Sequence, residues 1–168
     1  RSTLTVEAWV KPNSLTTFDS LYSSNDYNTG ALHLIFTTAG ALQVSISGGT
    51  GDKVFGTATD FPLNKWTHVA VTYDGPTGNA SVYADGRLLG TQKAGQTNQS
   101  LVLVPARIGA WFSGGITREF DGAIDEFAMF SRVLSQTEIQ AHVAAKTEAP
   151  HAWTTTVPAP FAQGFQIP

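Results

Sequence analysis

The residues of this chain best suited to chemistry are aromatic and polar side chains gathered in loop-like sequence. Trp111 and Phe112 stand beside the flexible run Ser113-Gly114-Gly115, and Tyr27 sits between Asp26 and Asn28. A flat aromatic ring stacks on the C–H face of a sugar, and carboxylate or amide groups pair with its hydroxyls. Trp111, Phe112 and Tyr27 are therefore candidate platform residues, with Asp26, Asn28 and Asn98 as candidate hydrogen-bonding partners. Trp111 ends a strand-like run, a position from which the reading expects it to be exposed. Trp9 and Trp66 lie inside strand-like blocks and are expected in the core.

Catalytic chemistry finds less to work with. Cleavage of a glycosidic bond needs two carboxylates, about 5–5.5 Å apart for retention or about 6.5–9.5 Å for inversion. Glu119 and Asp121 are spaced to share a strand face, but Gly122 follows and position 123 is alanine. Asp125 and Glu126 are adjacent, so a regular strand points them to opposite faces. There is no G-x-S-x-G elbow, cysteine nucleophile or phosphate-binding glycine loop, and His33, His68, His142 and His151 have no i,i+4 pairing around an acid. His68 reads as a structural histidine within a strand. These features predict a protein that is not an enzyme.

Two segments look superficially like calcium loops. Asn25 to Gly30 offers Asp26 and Asn28, but its glycine comes one place early and no bidentate glutamate follows. Gly48-Gly49-Thr50-Gly51-Asp52 has its aspartate one position short of the glycine-rich nonapeptide and does not repeat. Both read as turns.

The elements that must position these residues are strands. The 168 residues are enough for one domain with a core of its own, without any cysteine. A net charge of −3 with only 10 Lys and Arg provides no basic stripe for phosphates, so nucleic acid is excluded as a partner. No run of about 18 apolar residues is present, so no membrane insertion by a helix is expected. Strand-like runs fall at 3–11, 18–24, 31–37, 41–47, 53–59, 66–74, 80–85, 87–92, 101–109 and 122–131, separated by glycine-rich turns. Leu4, Val6, Ala8 and Val10, and Val69, Val71 and Tyr73, mark the core-facing side of their strands. Asp85-Gly86 fits a type I′ hairpin turn. One helix is predicted over 135–145, with Ser135 and Glu138 as a capping box and Leu134 and Ile139 as a hydrophobic staple; it is expected against one end of a sandwich.

Four motifs in order make the pattern specific: T-x-E-x-W-V at Thr5 to Val10, W-x-H-V-A-x-T-Y-D-G at Trp66 to Gly75, Y-x-D-G at Tyr83 to Gly86, and F-x-G-x-I-D-E-F at Phe120 to Phe127. Over residues 3–145 the chain resembles the laminin-G-like, concanavalin A-like jelly-roll domains. The resemblance implies an all-β fold, an antiparallel two-sheet β-sandwich with one short C-terminal helix. It also implies an extracellular or cell-surface binding or adhesion module whose partner is a glycan or glycoprotein. A structural calcium ion is implied at Asp125, the one residue to which that ligand set carries over; Asp125 is equally suited to accept from turn amides.

Residues 1–146 are read as the sandwich and 147–168, with four prolines, as an extended tail or linker. Family members carry a strand before the T-x-E-x-W-V block, whereas only three residues precede Leu4 here. The reading therefore expects an open sheet edge, covered by the tail or by self-association with another copy. That edge supports an alternative function, a structural subunit of a surface or filament assembly built by strand complementation.

Overall fold

Alternation of apolar and polar side chains is realised as two stacked antiparallel sheets. The computed structural model describes residues 1–24, 27–112 and 115–145; the tail read from the sequence lies outside them. The first sheet contains β1 (Thr3–Pro12), β6 (Thr67–Asp74), β7 (Asn79–Ala84), β8 (Arg87–Lys93) and β12 (Gly122–Phe130), in the order β12-β1-β6-β7-β8. The second contains β2 (Asp19–Ser24), β3 (Leu32–Phe36), β4 (Leu42–Ile46), β5 (Lys53–Phe55) and β9 (Ala106–Ile108), in the order β5-β4-β3-β2-β9. A two-stranded hairpin, β10 (Trp111–Phe112) and β11 (Ile116–Thr117), and one helix, α1 (Gln136–Ala145), complete the described elements.

The inner faces meet in one core. Leu4, Val6, Ala8 and Val10 from β1 and Val69, Val71 and Tyr73 from β6 pack with Leu32, Leu34 and Phe36 of β3 and Leu42, Val44 and Ile46 of β4. Each buried large aliphatic side chain contributes about 1.5–3 kcal/mol relative to exposure. The intervening residues of the same strands necessarily face outward.

The local signals act as their chemistry requires. Asp85 and Gly86 both take positive φ, 47° and 75°, as a type I′ turn demands. Gly86 is fixed further by packing, because a Cβ there would stand 2.8 Å from Gln140 Cγ. Ser135 Oγ accepts from the Glu138 amide at 3.3 Å while a Glu138 carboxylate oxygen accepts from the Ser135 amide at 2.8 Å, the reciprocal capping box.

Four expectations need correction. The helix covers the outer face of the first sheet rather than an end of the sandwich: Leu134 and Ile139 pack with Ala70 and Tyr83. Strand 53–59 stops at Phe55, since residues 57–61 turn under the hydrogen bond from the Asp60 amide to the Thr57 carbonyl. Strand 101–109 is regular only over Ala106–Ile108, after Pro105 has removed a donor. Finally, β1 is not an open edge. It pairs with β12 on one side and β6 on the other, and β12 is the outermost strand of that sheet among the described residues.

Candidate functional site

The outer face of the second sheet is built by residues that alternate with the core. Between Leu32, Leu34 and Phe36 stand His33 and Ile35; between Leu42, Val44 and Ile46 stand Gln43 and Ser45. These four side chains form the floor of a cavity of about 230 Å³. That is smaller than the roughly 300–1,000 Å³ of pockets for drug-sized ligands and is suited to a single sugar ring.

One wall comes from Tyr27 and from the β10–β11 hairpin, which folds back over the sheet. Trp111 packs edge-on against Tyr27, with ring centroids 4.9 Å apart, and against His33 at 5.9 Å. Tyr27 and His33 lie 6.1 Å apart, completing a triangle of rings. Tyr27 is 64% exposed and Trp111 only 7%. Trp111 therefore does not stand free as the sequence reading expects. It is a buried support, and Tyr27 presents the accessible ring. The Trp111 Nε1–H is buried with no hydrogen-bond partner among the described residues.

Arg118 and Asp52 complete the cavity with opposite charges. Arg118 follows β11 in the left-handed conformation, φ 55°, sparsely populated by non-glycine residues, and its carbonyl accepts the Ser20 amide at 2.8 Å. This backbone geometry accompanies a guanidinium stacked 4.1 Å from the Trp111 ring centre and 5.6 Å from that of Phe18, a cation–π arrangement. At the β4–β5 side, Asp52 accepts a hydrogen bond from Ser45 Oγ at 2.6 Å.

The structure thus joins Trp111 and Tyr27 but scatters other candidates. Asp26 lies outside the described residues. Phe112 pairs through its backbone with Ile116. Asn28 is exposed next to Tyr27, and its carbonyl accepts the Ala31 amide at 2.9 Å. Asn98 is elsewhere, in a turn at φ 61° whose amide donates to Gly75, and it does not line the cavity. Trp66, expected in the core, is 41% exposed. Trp9 lies on the outer face of the first sheet, packed edge-on against buried His68 at 5.3 Å.

The sequence reading missed His33, Gln43, Ser45, Asp52, Phe18 and Arg118. The first three carry a usable signal, since each is a polar residue alternating with core aliphatics. Arg118 has none, because its place over Trp111 is set by the hairpin.

The acidic candidates are structural in their contacts. Asp121 accepts from Ser14 Oγ at 2.6 Å and Asn13 Nδ2 at 3.2 Å, tying two loops together. Asp125 Oδ1 accepts the Glu126 amide at 2.8 Å. Among the described residues no group of three or more His, Cys, Asp or Glu side chains is placed to hold a metal ion.

A second cavity, of about 320 Å³, lies on the outer face of the first sheet beside α1, lined by Glu7, Trp9, Glu126 and His142 among others. Glu7 is buried and shares a 2.7 Å contact with His142 Nδ1. Burial pushes the Glu7 carboxyl above its ordinary value, and the His142 hydrogen bond opposes that shift.

Two facing antiparallel sheets define a concanavalin A-like jelly roll, with a small aromatic cavity on one outer face. The chain belongs to the concanavalin A-like lectin/glucanases superfamily, whose Laminin_G_3 family model matches residues 1–140. The comparison with curated proteins gives no match. Among solved structures, the heptameric SAP-like pentraxin of Limulus polyphemus is similar at a TM-score of 0.69 and 20% identity, over 84% of this chain and 70% of that one. The CBM40 of the Ruminococcus gnavus IT-sialidase, bound to alpha2,3 sialyllactose, matches at 0.68 and 21%, over 84% and 82%. The receptor-binding domain of botulinum neurotoxin D matches at 0.65 and 19%, over 87% of this chain but 38% of that one. Among the described residues no helix is long and apolar enough to cross a membrane.

Proposed function

We propose that this chain is a non-catalytic carbohydrate-recognition module acting outside the cell or at its surface, and that it holds one sugar residue of a glycan or glycoprotein in the cavity between Tyr27 and Trp111. The observation that carries this reading is the exposed Tyr27 ring, braced edge-on by buried Trp111 above a floor of hydrogen-bonding side chains. An apolar ring face with a few convergent polar groups is what a sugar's two-sided chemistry requires. Gln43 and Asp52 supply acceptors for hydroxyls, and Gln43 also supplies donors. The sialyllactose-bound CBM40, similar in fold, adds support from outside the chain.

A glycan array read with and without chelator tests the reading. Binding to at least one glycan class, unchanged by chelator and lost in Tyr27→Ala, is the expected outcome. Absence of binding to every glycan contradicts it.

The second reading, a subunit that assembles by strand pairing, rests on β12 as the outermost described strand of its sheet. Size-exclusion chromatography separates the two: a recognition module runs as a monomer, an assembling subunit as higher species.

A further inference from the structure

We propose that the sugar recognised in this cavity carries an oxyanion, a carboxylate or a sulfate, and that Arg118 is the group that selects it. The inference rests on the carbohydrate reading above and names the ligand class for the same site.

Among the described residues the charge at one end of the cavity forms no ion pair; Glu119, the next residue, lines an adjoining groove with Arg118 but makes no ion pair with it. Among the described residues the ion pairs are Arg87–Asp60, Arg132–Glu138 and His142–Glu7, and no carboxylate pairs with Arg118. Its guanidinium is held by rings, Trp111 on one side and Phe18 near by, which fixes its plane without using its N–H donors. A planar fork presented edge-on binds a carboxylate or sulfate through two parallel hydrogen bonds, and stacking beforehand lowers the entropy lost on binding.

The one carboxylate among the described lining residues, Asp52, does not cancel this polarity. Asp52 immediately precedes β5 and is engaged by Ser45 of β4, whereas Arg118 is tied to Ser20 of β2; the order β5-β4-β3-β2 places β3, with His33, between them. The cavity therefore has an anionic end for hydroxyl donors and a cationic end for an oxyanion. A neutral sugar offers Arg118 only hydroxyl and ring oxygens, whereas an oxyanion accepts two parallel charge-assisted hydrogen bonds, roughly twice as strong as neutral ones.

The test is calorimetric titration of the full chain with lactose, sialyllactose, sulfated lactose, cellobiose and cellobiouronic acid. The expected result is that at least one acidic sugar binds about tenfold or more tightly than its neutral counterpart. That preference should shrink as salt is raised. Arg118→Gln should reduce the preference to less than about threefold and Arg118→Lys should leave an intermediate value, with thermal melts confirming that both variants fold. Asn98→Gly, outside the cavity, serves as the control that keeps the preference. The separate sialyl, sulfate and uronate arms identify the source of the oxyanion. Neutral and acidic sugars binding alike, or Arg118→Gln keeping the preference, overturns this inference and leaves the carbohydrate reading standing. Failure of all five sugars to bind also overturns this inference, while the carbohydrate reading falls only if the glycan array shows no binding to any glycan.

Discussion

The two outer faces of this sandwich are covered in different ways, and the cover decides what each face can do. On the first sheet α1 lays Leu134 and Ile139 on Ala70 and Tyr83, while Glu7 is buried against His142. On the second sheet a hairpin of two-residue strands brings in Trp111, with Arg118 stacked on it, and leaves a cavity above His33, Gln43 and Ser45. The helix buries Ile139 against the sheet and leaves a cavity of about 320 Å³ beside it, lined by Glu7, Trp9 and His142 among others. A short hairpin carrying large rings braces one wall and leaves the rest open. The proposed recognition thus falls on the hairpin-covered face, and the helix-covered face is expected to contribute to stability alone.

Breaking either cover tests that division. Trp111→Ala removes a buried ring from the hairpin cover, so unfolding free energy should fall by about 3–5 kcal/mol, with sugar binding lost at the same time; denaturant titration and calorimetry read the two effects. Ile139→Ala, on the buried face of α1, should cost about 2–5 kcal/mol in the same titration and leave sugar affinity unchanged. Loss of binding in Ile139→Ala at temperatures where it remains folded would show that the faces are not independent. Tyr27→Ala is expected to do the reverse of Ile139→Ala. Stability should stay within about 0.5 kcal/mol because the ring is exposed, while sugar affinity falls about tenfold.

The smallest effects concern pH, and two of them sit on the helix-covered face. The Arg132 side chain, with help from Ser135, holds the exposed Glu138 carboxyl down to about 2. Its stabilisation is present above its ordinary value of 4.5 and is lost as pH falls from there toward about 2. Glu7 has the opposite sign: burial raises its folded value, so its contribution is fully present below 4.5 and is lost as pH rises through that raised value. Thermal melts across acid pH should show Glu138→Gln flattening the acid-side loss and Glu7→Gln removing the opposing slope. The cavity on the other sheet contains neither residue, so no change in its sugar affinity is expected from either variant.

Legibility from sequence followed the range of the interactions. Alternation in β1 and β6, the Asp85-Gly86 turn and the Ser135–Glu138 cap are local patterns with one physical solution each, and the structure realises all three. The cavity floor was also written locally, in the alternation of His33, Gln43 and Ser45 with aliphatics, but polar residues on an outer face attract notice only once something is seen to cover them. Trp111 and Tyr27 stood out as aromatics in glycine-rich or polar surroundings. Which of them would be exposed depended on how a hairpin too short to show periodicity folds back, and that is a tertiary outcome. Arg118 and Asp52 belong to the same class: their roles arise from a stack on Trp111 and a hydrogen bond from Ser45, neither of which neighbouring residues announce. Trp66 misled for the converse reason, since it lies just before β6, outside the alternation that buries Val69 and Val71.

The most direct test of recognition on the hairpin-covered face is a nuclear magnetic resonance titration of nitrogen-labelled protein with sialyllactose and cellobiouronic acid, followed through the indole N–H signals. The account predicts that the Trp111 indole signal moves most, together with backbone amides of Tyr27 and His33, while those of Trp9 and Trp66 stay in place. Movement centred on Trp9 and the amides of His68 and Glu126, with Trp111 unmoved, would contradict it.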